Sequence, residues 1–191
     1  MNILNVENLN KEYKEFKLDN VSFQLKKGYI MGFVGSNGAG KTTTLKSILN
    51  IVKPDSGKVE IFGKDFTSNE VEIKENISFM MGGTDYFTRK KVKSVTDVVK
   101  RFYSTWDDSI YEGYMKKFNL DPNKKISELS QGMRVKYALA LALSHDSKLI
   151  ILDEPSSRLD PVARDVLLEI VQELIEDGEK CILFSTHITS D

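Results

Sequence analysis

One cysteine in 191 residues, Cys181, has no partner for an internal disulfide and no metal-ligating companions beside it. That removes disulfide-stapled secreted scaffolds and zinc modules from consideration and leaves a buried structural thiol as the reading. Proline is sparse at four residues, and 40% of the chain is apolar against 29% charged, a globular balance that excludes disordered and fibrous classes. Long hydrophobic runs are missing. The longest, Tyr137 to Leu143, falls far short of the roughly 18 residues that span a bilayer. The opening Met1-Asn2-Ile3-Leu4-Asn5 has no basic stretch followed by an apolar run, so no leader is expected. Charge of one sign is lacking too, with 27 Lys and Arg against 28 Asp and Glu and an isoelectric point near 6.2. Nothing global therefore favours nucleic acid or an anionic membrane surface, and no nucleic-acid partner is expected. These absences predict a cytoplasmic chain that forms no pore of its own.

What is present fits one domain with a sizeable core. Alternating or apolar runs at Ile3 to Leu9, Val21 to Leu25, Tyr29 to Val34, Lys58 to Phe62 and Ile77 to Met81 read as strands. Pro54-Asp55-Ser56-Gly57 is a turn that should fold the fourth of these back. The middle of the chain changes period. With Ser94 as the capping residue, Val95, Val98, Val99, Phe102, Tyr103 and Trp106 recur at helical spacing. A second face follows in Tyr111, Tyr114, Met115 and Phe118, ended by Asp121-Pro122-Asn123, and Met133 to Leu143 is apolar on most sides, as in a buried helix. Leu149 to Leu152 and Cys181 to Phe184 are apolar runs flanking a helix that begins at Asp160-Pro161 and stops at Gly178, which reads as a βαβ unit. No repeat or linker divides the chain.

Gly35-Ser36-Asn37-Gly38-Ala39-Gly40-Lys41-Thr42 matches the phosphate-binding loop pattern G-x-x-x-x-G-K-[ST], directly after an apolar strand and before a helix-like run. Its glycines permit backbone conformations that aim successive N–H groups inward, and the following helix offers its positive end, so a polyphosphate is held without side-chain bulk. Lys41 should reach the β- and γ-phosphates, the Thr42 hydroxyl should coordinate Mg²⁺, and Thr43 stands next to both. Leu149-Ile150-Ile151-Leu152-Asp153-Glu154 is an apolar strand ending in two carboxylates, which a parallel sheet delivers to the edge where ligands bind. Alternation should send the two apart, Asp153 to Mg²⁺ and Glu154 to the attacking water. The bland alternative is that these acids only cap the next segment.

Those two motifs are shared by many NTPases. Leu129-Ser130-Gln131-Gly132-Met133 resembles the L-S-G-G-Q signature of ATP-binding cassette (ABC) ATPases, Ser156-Ser157-Arg158-Leu159-Asp160 resembles their D-loop, His187 their switch histidine, and Tyr13 the aromatic on which they stack adenine. Taken singly, Ser130 reads equally well as a helix cap, His187 as a surface histidine and Tyr13 as a sheet aromatic. Together, in order, they cover essentially the whole chain.

The resemblance implies a P-loop NTPase core of α/β class, about residues 1–81 and 146–191, with an antiparallel β subdomain and a helical signature-motif subdomain at about 82–145. It further implies Mg-ATP hydrolysis and a homodimer or heterodimer of cassettes in which Ser130 and Gly132 of one contact the γ-phosphate held by the other. It also implies integral membrane permease subunits, against which the chain sits peripherally on the cytoplasmic face. The general pattern, including Asp146-Ser147-Lys148, resembles exporter ATPases; a soluble cassette or a regulatory, nucleotide-gated one is the alternative. The sequence departs from the family where a glutamine usually follows the strand at Ile77 to Met81: the only glutamines are Gln24, Gln131 and Gln172, and Gly82 or a neighbour takes the place. Gln131, Met133 and Arg158 also depart. Family members usually continue with another strand and helices after the switch histidine, so a chain extending beyond Asp191 is expected.

Overall fold

The computed structural model of the chain describes residues 1–81, 87–157 and 159–187. Strands β1 (Asn2–Tyr13) and β2 (Phe16–Lys26) form a long antiparallel hairpin. β4 (Ser56–Ile61) pairs with the other edge of β1, and β5 (Lys64–Asp65) completes the sheet in the order β2-β1-β4-β5. The predicted turn does fold the chain back. Its Asp55 carboxylate accepts hydrogen bonds from Lys11 Nζ and the Glu12 N–H, both at 2.7 Å, and so ties the turn to the far end of β1. β1 runs beyond the expected Ile3 to Leu9 because register shifts on either side of Leu9 absorb the polar residues that break its alternation.

The second sheet is parallel, in the order β3-β8-β7-β6, from β3 (Ile30–Val34), β6 (Ile77–Met80), β7 (Leu149–Asp153) and β8 (Cys181–Thr186). Every residue of β7 is buried, as a central strand covered on both faces requires. Strand alternation divides its side chains between two cores. Leu149 and Ile151, with Cys181 and Leu183, pack against the antiparallel sheet and against Leu45 and Ile48 of α1 (Lys41–Ile48). Ile150, Leu152 and Ile182 pack against α5 (Gln131–Leu143) and α6 (Pro161–Glu173). Each such side chain contributes about 1.5–3 kcal/mol by leaving water. Asp160 caps α6, accepting from the Ala163 N–H at 2.9 Å with proline in the first turn, as predicted. Cys181 is fully buried.

A short helix α2 (Glu70–Glu75) precedes β6, and α3 (Val92–Val99) and α4 (Asp108–Lys117) lead to α5. These last three helices share one apolar core with Met80, Ile150 and Leu152 of the parallel sheet. Two expectations fail here. Ser94 does not cap α3, which starts at Val92 after Lys91; it lies inside the helix. Nor do the six apolar residues from Val95 to Trp106 form one buried face. The helix ends at Val99 and tightens into a 3₁₀ turn at Lys100–Phe102, leaving Val98 and Phe102 52% and 71% exposed. The buried positions are Val92 and Thr96. Thr96 is tolerated inside because its hydroxyl contacts Tyr111 Oη at 2.8 Å, Tyr137 Oη at 3.0 Å and the Val92 carbonyl at 3.1 Å. A count of apolar residues alone places the face wrongly when a satisfied polar residue sits in it. In α4 the expected face holds better, with Tyr111 and Met115 buried and Phe118 at the end, and Asp107 is the cap.

Candidate functional site

The loop between β3 and α1 ends at Gly40, whose φ of 92° lies in the left-handed region. A Cβ there would be strained by conformation and would stand 2.7 Å from Phe16 Cζ and 3.1 Å from Leu18 Cδ1, so the tips of those side chains would have to shift. Lys41 opens the helix and folds its ammonium back over the loop, donating to the Gly35 and Ser36 carbonyls at 2.7 and 3.0 Å. The same ammonium lies 3.7 Å from Glu154 Oε1. A cleft of about 590 Å³ is lined by Asn37, Gly38, Ala39, Gly40 and Lys41 to Thr43, by Asp153, Glu154 and Ser157, and by Glu15 and Phe16.

The acidic pair diverges as its sequence position implied. Asp153, 4% exposed at the end of β7, accepts from the Thr42 hydroxyl at 2.9 and 3.1 Å and from the Ser185 hydroxyl at 2.6 Å. Glu154 leaves the strand at φ 49°, a left-handed conformation that costs a side-chain-bearing residue about 1–2 kcal/mol. Its N–H donates to Ser185 Oγ at 3.0 Å and to the Ser185 carbonyl at 3.1 Å. The turn aims its carboxylate at Lys41 and at His187, whose Nδ1 is 3.6 Å from Oε1. A hydroxyl at the start of α1 and a carboxylate at the end of β7, held together beside the loop, fit Mg²⁺, a hard cation usually bound by one or two protein oxygens and the phosphates of a nucleotide.

The fold thus brings Thr42 to Asp153, and Lys41 and His187 to Glu154. Thr43 lines the same cleft, while Gly35 and Ser36 lie behind Lys41. Ser130 and Gly132 open α5 and do not line it; Ser130 is exposed, and its hydroxyl accepts from the Met133 N–H at 3.2 Å. The capping role therefore holds alongside whatever else the serine does. Tyr13, 45% exposed at the end of β1, does not line the cleft; the ring of Phe16, 6.4 Å from it, does. Gly82 and Arg158, where the sequence departs from the resembled pattern, lie outside the described residues. Sequence reasoning missed Glu15, Phe16 and Ser185. Glu15 lies in the hairpin turn and Phe16 opens β2 just after it, with no phosphate-loop signature at either. Ser185 had one available signal, a polar residue at the end of an apolar strand just before His187.

Comparison with known proteins agrees with this geometry. Residues 18–157 match the ABC transporter family model. The chain is 34% identical over 177 residues to the ABC transporter ATP-binding protein NatA of Bacillus subtilis (strain 168), covering 90% of this chain and 72% of NatA. It is 30% identical to the bacitracin transport ATP-binding protein BcrA of Bacillus licheniformis, covering 99% of this chain and 63% of BcrA. It is 31% identical to the Nod factor export ATP-binding protein I of Burkholderia orbicola (strain AU 1054), with 98% and 64% covered. The chain thus spans less than two thirds of the latter two relatives. A solved ATP-binding subunit of an ABC transporter superposes with a TM-score of 0.87 at 26% identity, over 98% of this chain and 80% of that one. With a phosphate loop and a divergent acidic pair lining one cleft of this fold and a histidine beside Glu154, the chain belongs to the ABC transporter family as one of its ATP-binding domains.

Proposed function

We propose that the chain is the motor of an ABC exporter, one of two cassettes that close on ATP and pass the motion to separate membrane permease subunits at the cytoplasmic face. The observation that carries this reading is the convergence of Lys41 and His187 on Glu154 beside the Thr42–Asp153 pair, a constellation suited to hydrolysing a terminal phosphate. The names of the bacitracin transport and Nod factor export relatives support the transport role and its direction.

The loop N–H groups hold the phosphates, and Lys41 exchanges its carbonyl contacts for the β- and γ-phosphate oxygens, a charge-assisted bond in place of neutral ones. Thr42 and Asp153 would hold Mg²⁺, which would supply neutralisation of the phosphate charge when bound. Glu154 orients the attacking water and takes its proton, and His187 fixes the orientation of that carboxylate from 3.6 Å. Tyr13 gives adenine a stacking surface at the end of β1. Ser130 and Gly132 complete the site of the opposite cassette with a hydroxyl and a helix-start N–H aimed at the γ-phosphate. Phosphate release from ATP tests the assignment. Glu154→Gln should lower turnover by about a hundredfold or more while leaving ATP binding intact, and near-parental turnover would remove Glu154 from the mechanism.

A further inference from the structure

Ser185 has no role in any motif read from the sequence, yet it stands where the two halves of the site meet. It lies in β8 directly across from Asp153 in the parallel register and is wholly buried. A serine hydroxyl has one hydrogen to give and two lone pairs to receive with. The hydrogen goes to Asp153 Oδ1 at 2.6 Å, a charge-assisted bond of the short kind. A lone pair receives the Glu154 N–H at 3.0 Å. The Ser185 carbonyl takes the same N–H at 3.1 Å, so the amide of Glu154 is shared between two atoms of one residue. One side chain therefore fixes the carboxylate that faces Thr42 and the backbone amide of the residue whose φ of 49° turns its own carboxylate toward Lys41 and His187.

We propose that Ser185 is a positioning residue of the ATPase site, its hydroxyl linking the Asp153 carboxylate to the Glu154 backbone so that the metal-facing and water-facing groups keep one fixed spacing. The proposal rests on the roles given above to Asp153 and Glu154. Without the hydroxyl, Asp153 loses a short charge-assisted donor and keeps the Thr42 hydroxyl, and the Glu154 N–H keeps only the strand carbonyl of its two Ser185 acceptors. Partners that orient a metal-binding carboxylate are worth about 10–100-fold in metal affinity. A purely structural serine would change stability without singling out the metal.

The experiment measures ATP affinity of the whole chain at graded Mg²⁺ concentrations and again in excess chelator, for the parent, Ser185→Ala, Ser185→Cys, Ser185→Thr and Asp153→Asn, with thermal melting as a check on folding. Ser185→Ala should raise the Mg²⁺ concentration for half-maximal enhancement of binding by about tenfold while leaving metal-free ATP affinity unchanged. Ser185→Cys, close in volume but a weak donor, should move in the same direction and serves if the alanine variant does not fold. Ser185→Thr should restore the parental value. If Asp153→Asn shifts the Mg²⁺ dependence and neither the alanine nor the cysteine variant does, the proposal is overturned and the reading of the site stands. If Asp153→Asn itself leaves the Mg²⁺ dependence unchanged, the reading of the site fails and takes the proposal with it. Equal loss of ATP affinity with and without Mg²⁺ in the serine variants would also overturn it, by showing a general structural effect.

Discussion

Two of the regions in which this molecule buries polar side chains use them oppositely. At the end of the parallel sheet, Asp153 and Ser185 are almost wholly covered, yet Asp153 still lines the cleft beside the phosphate loop and Glu154 next to it is held in a strained turn. Among the helices, Thr96, Tyr111 and Tyr137 are equally covered, but their hydroxyls close on one another and on the Val92 carbonyl, and none of them lines the cleft. Buried polarity that opens onto a cleft has capacity left for a ligand; buried polarity closed on itself specifies packing. Desolvation pushes the Tyr111 and Tyr137 phenols upward from their ordinary pKa, so this network, already neutral at physiological pH, stays neutral further into the alkaline range. The sheet edge instead gathers a lysine, two carboxylates and a histidine.

The sharpest way to break this contrast is to remove the cleft's cation. Lys41→Ala should lower Mg-ATP affinity by about a hundredfold or more, the loss of charge-assisted bonds to two phosphates, with little change in melting temperature of the nucleotide-free protein. Calorimetric titration checks it, and parental affinity would contradict the assignment. The converse change in the helical network should act on stability alone. Tyr137→Phe deletes the donor to the Val92 carbonyl and should cost about 1–2 kcal/mol, lowering Tm by a few degrees without altering nucleotide affinity. A loss of ATP binding in that variant would mean that the two networks are coupled.

The smallest effect expected is at a third buried polar group, where α5 meets the start of β6. His145, 4% exposed, stacks on Tyr103 at 3.7 Å and places Nε2 3.1 Å from Ser78 Oγ of β6. Burial pushes its pKa down, and Lys180 adds to that, while backbone carbonyls at Ile77 and Leu141 and the charge of Asp146 act in the opposite direction. The unfolded chain therefore takes up a proton on this residue at a pH where the folded chain does not. Its contribution to stability is fully present above the ordinary histidine pKa, near 6.5, and is lost as pH falls below that toward the folded value. Melting curves between about pH 7.5 and 5.5 should fall less steeply for His145→Gln than for the parent; identical slopes would show that His145 does not set this dependence.

How much of this was legible in the sequence follows from where each piece of chemistry resides. The phosphate loop could be read outright because its function is a property of consecutive backbone conformations, and the Asp153–Glu154 pair because one strand delivers both. The contact of Lys41 and His187 with Glu154 was foreshadowed only as membership of one site. Ser185 offered only its polar place at the end of an apolar strand; its role comes from the register between β7 and β8, which no local pattern specifies. The error at Ser94 has the same origin. Thr96 belongs in the core only through hydroxyls that arrive from two other helices, so a periodicity count could not include it. Phe16 escaped notice because its effect is steric, against a glycine in another element.

The central claim is that the cleft is half of a composite site, completed by Ser130 and Gly132 of a second cassette. It is tested most directly by the association state of the Glu154→Gln protein in Mg-ATP, in Mg-ADP and without nucleotide, followed by sedimentation or light scattering and repeated with Ser130→Arg added. Glu154→Gln keeps the side-chain shape but loses the basic carboxylate, so ATP should persist in the closed pair and draw monomer to dimer by mass action. The account predicts a dimer in Mg-ATP alone, abolished by Ser130→Arg. A dimer that forms equally in Mg-ADP, or one that survives Ser130→Arg, would contradict it.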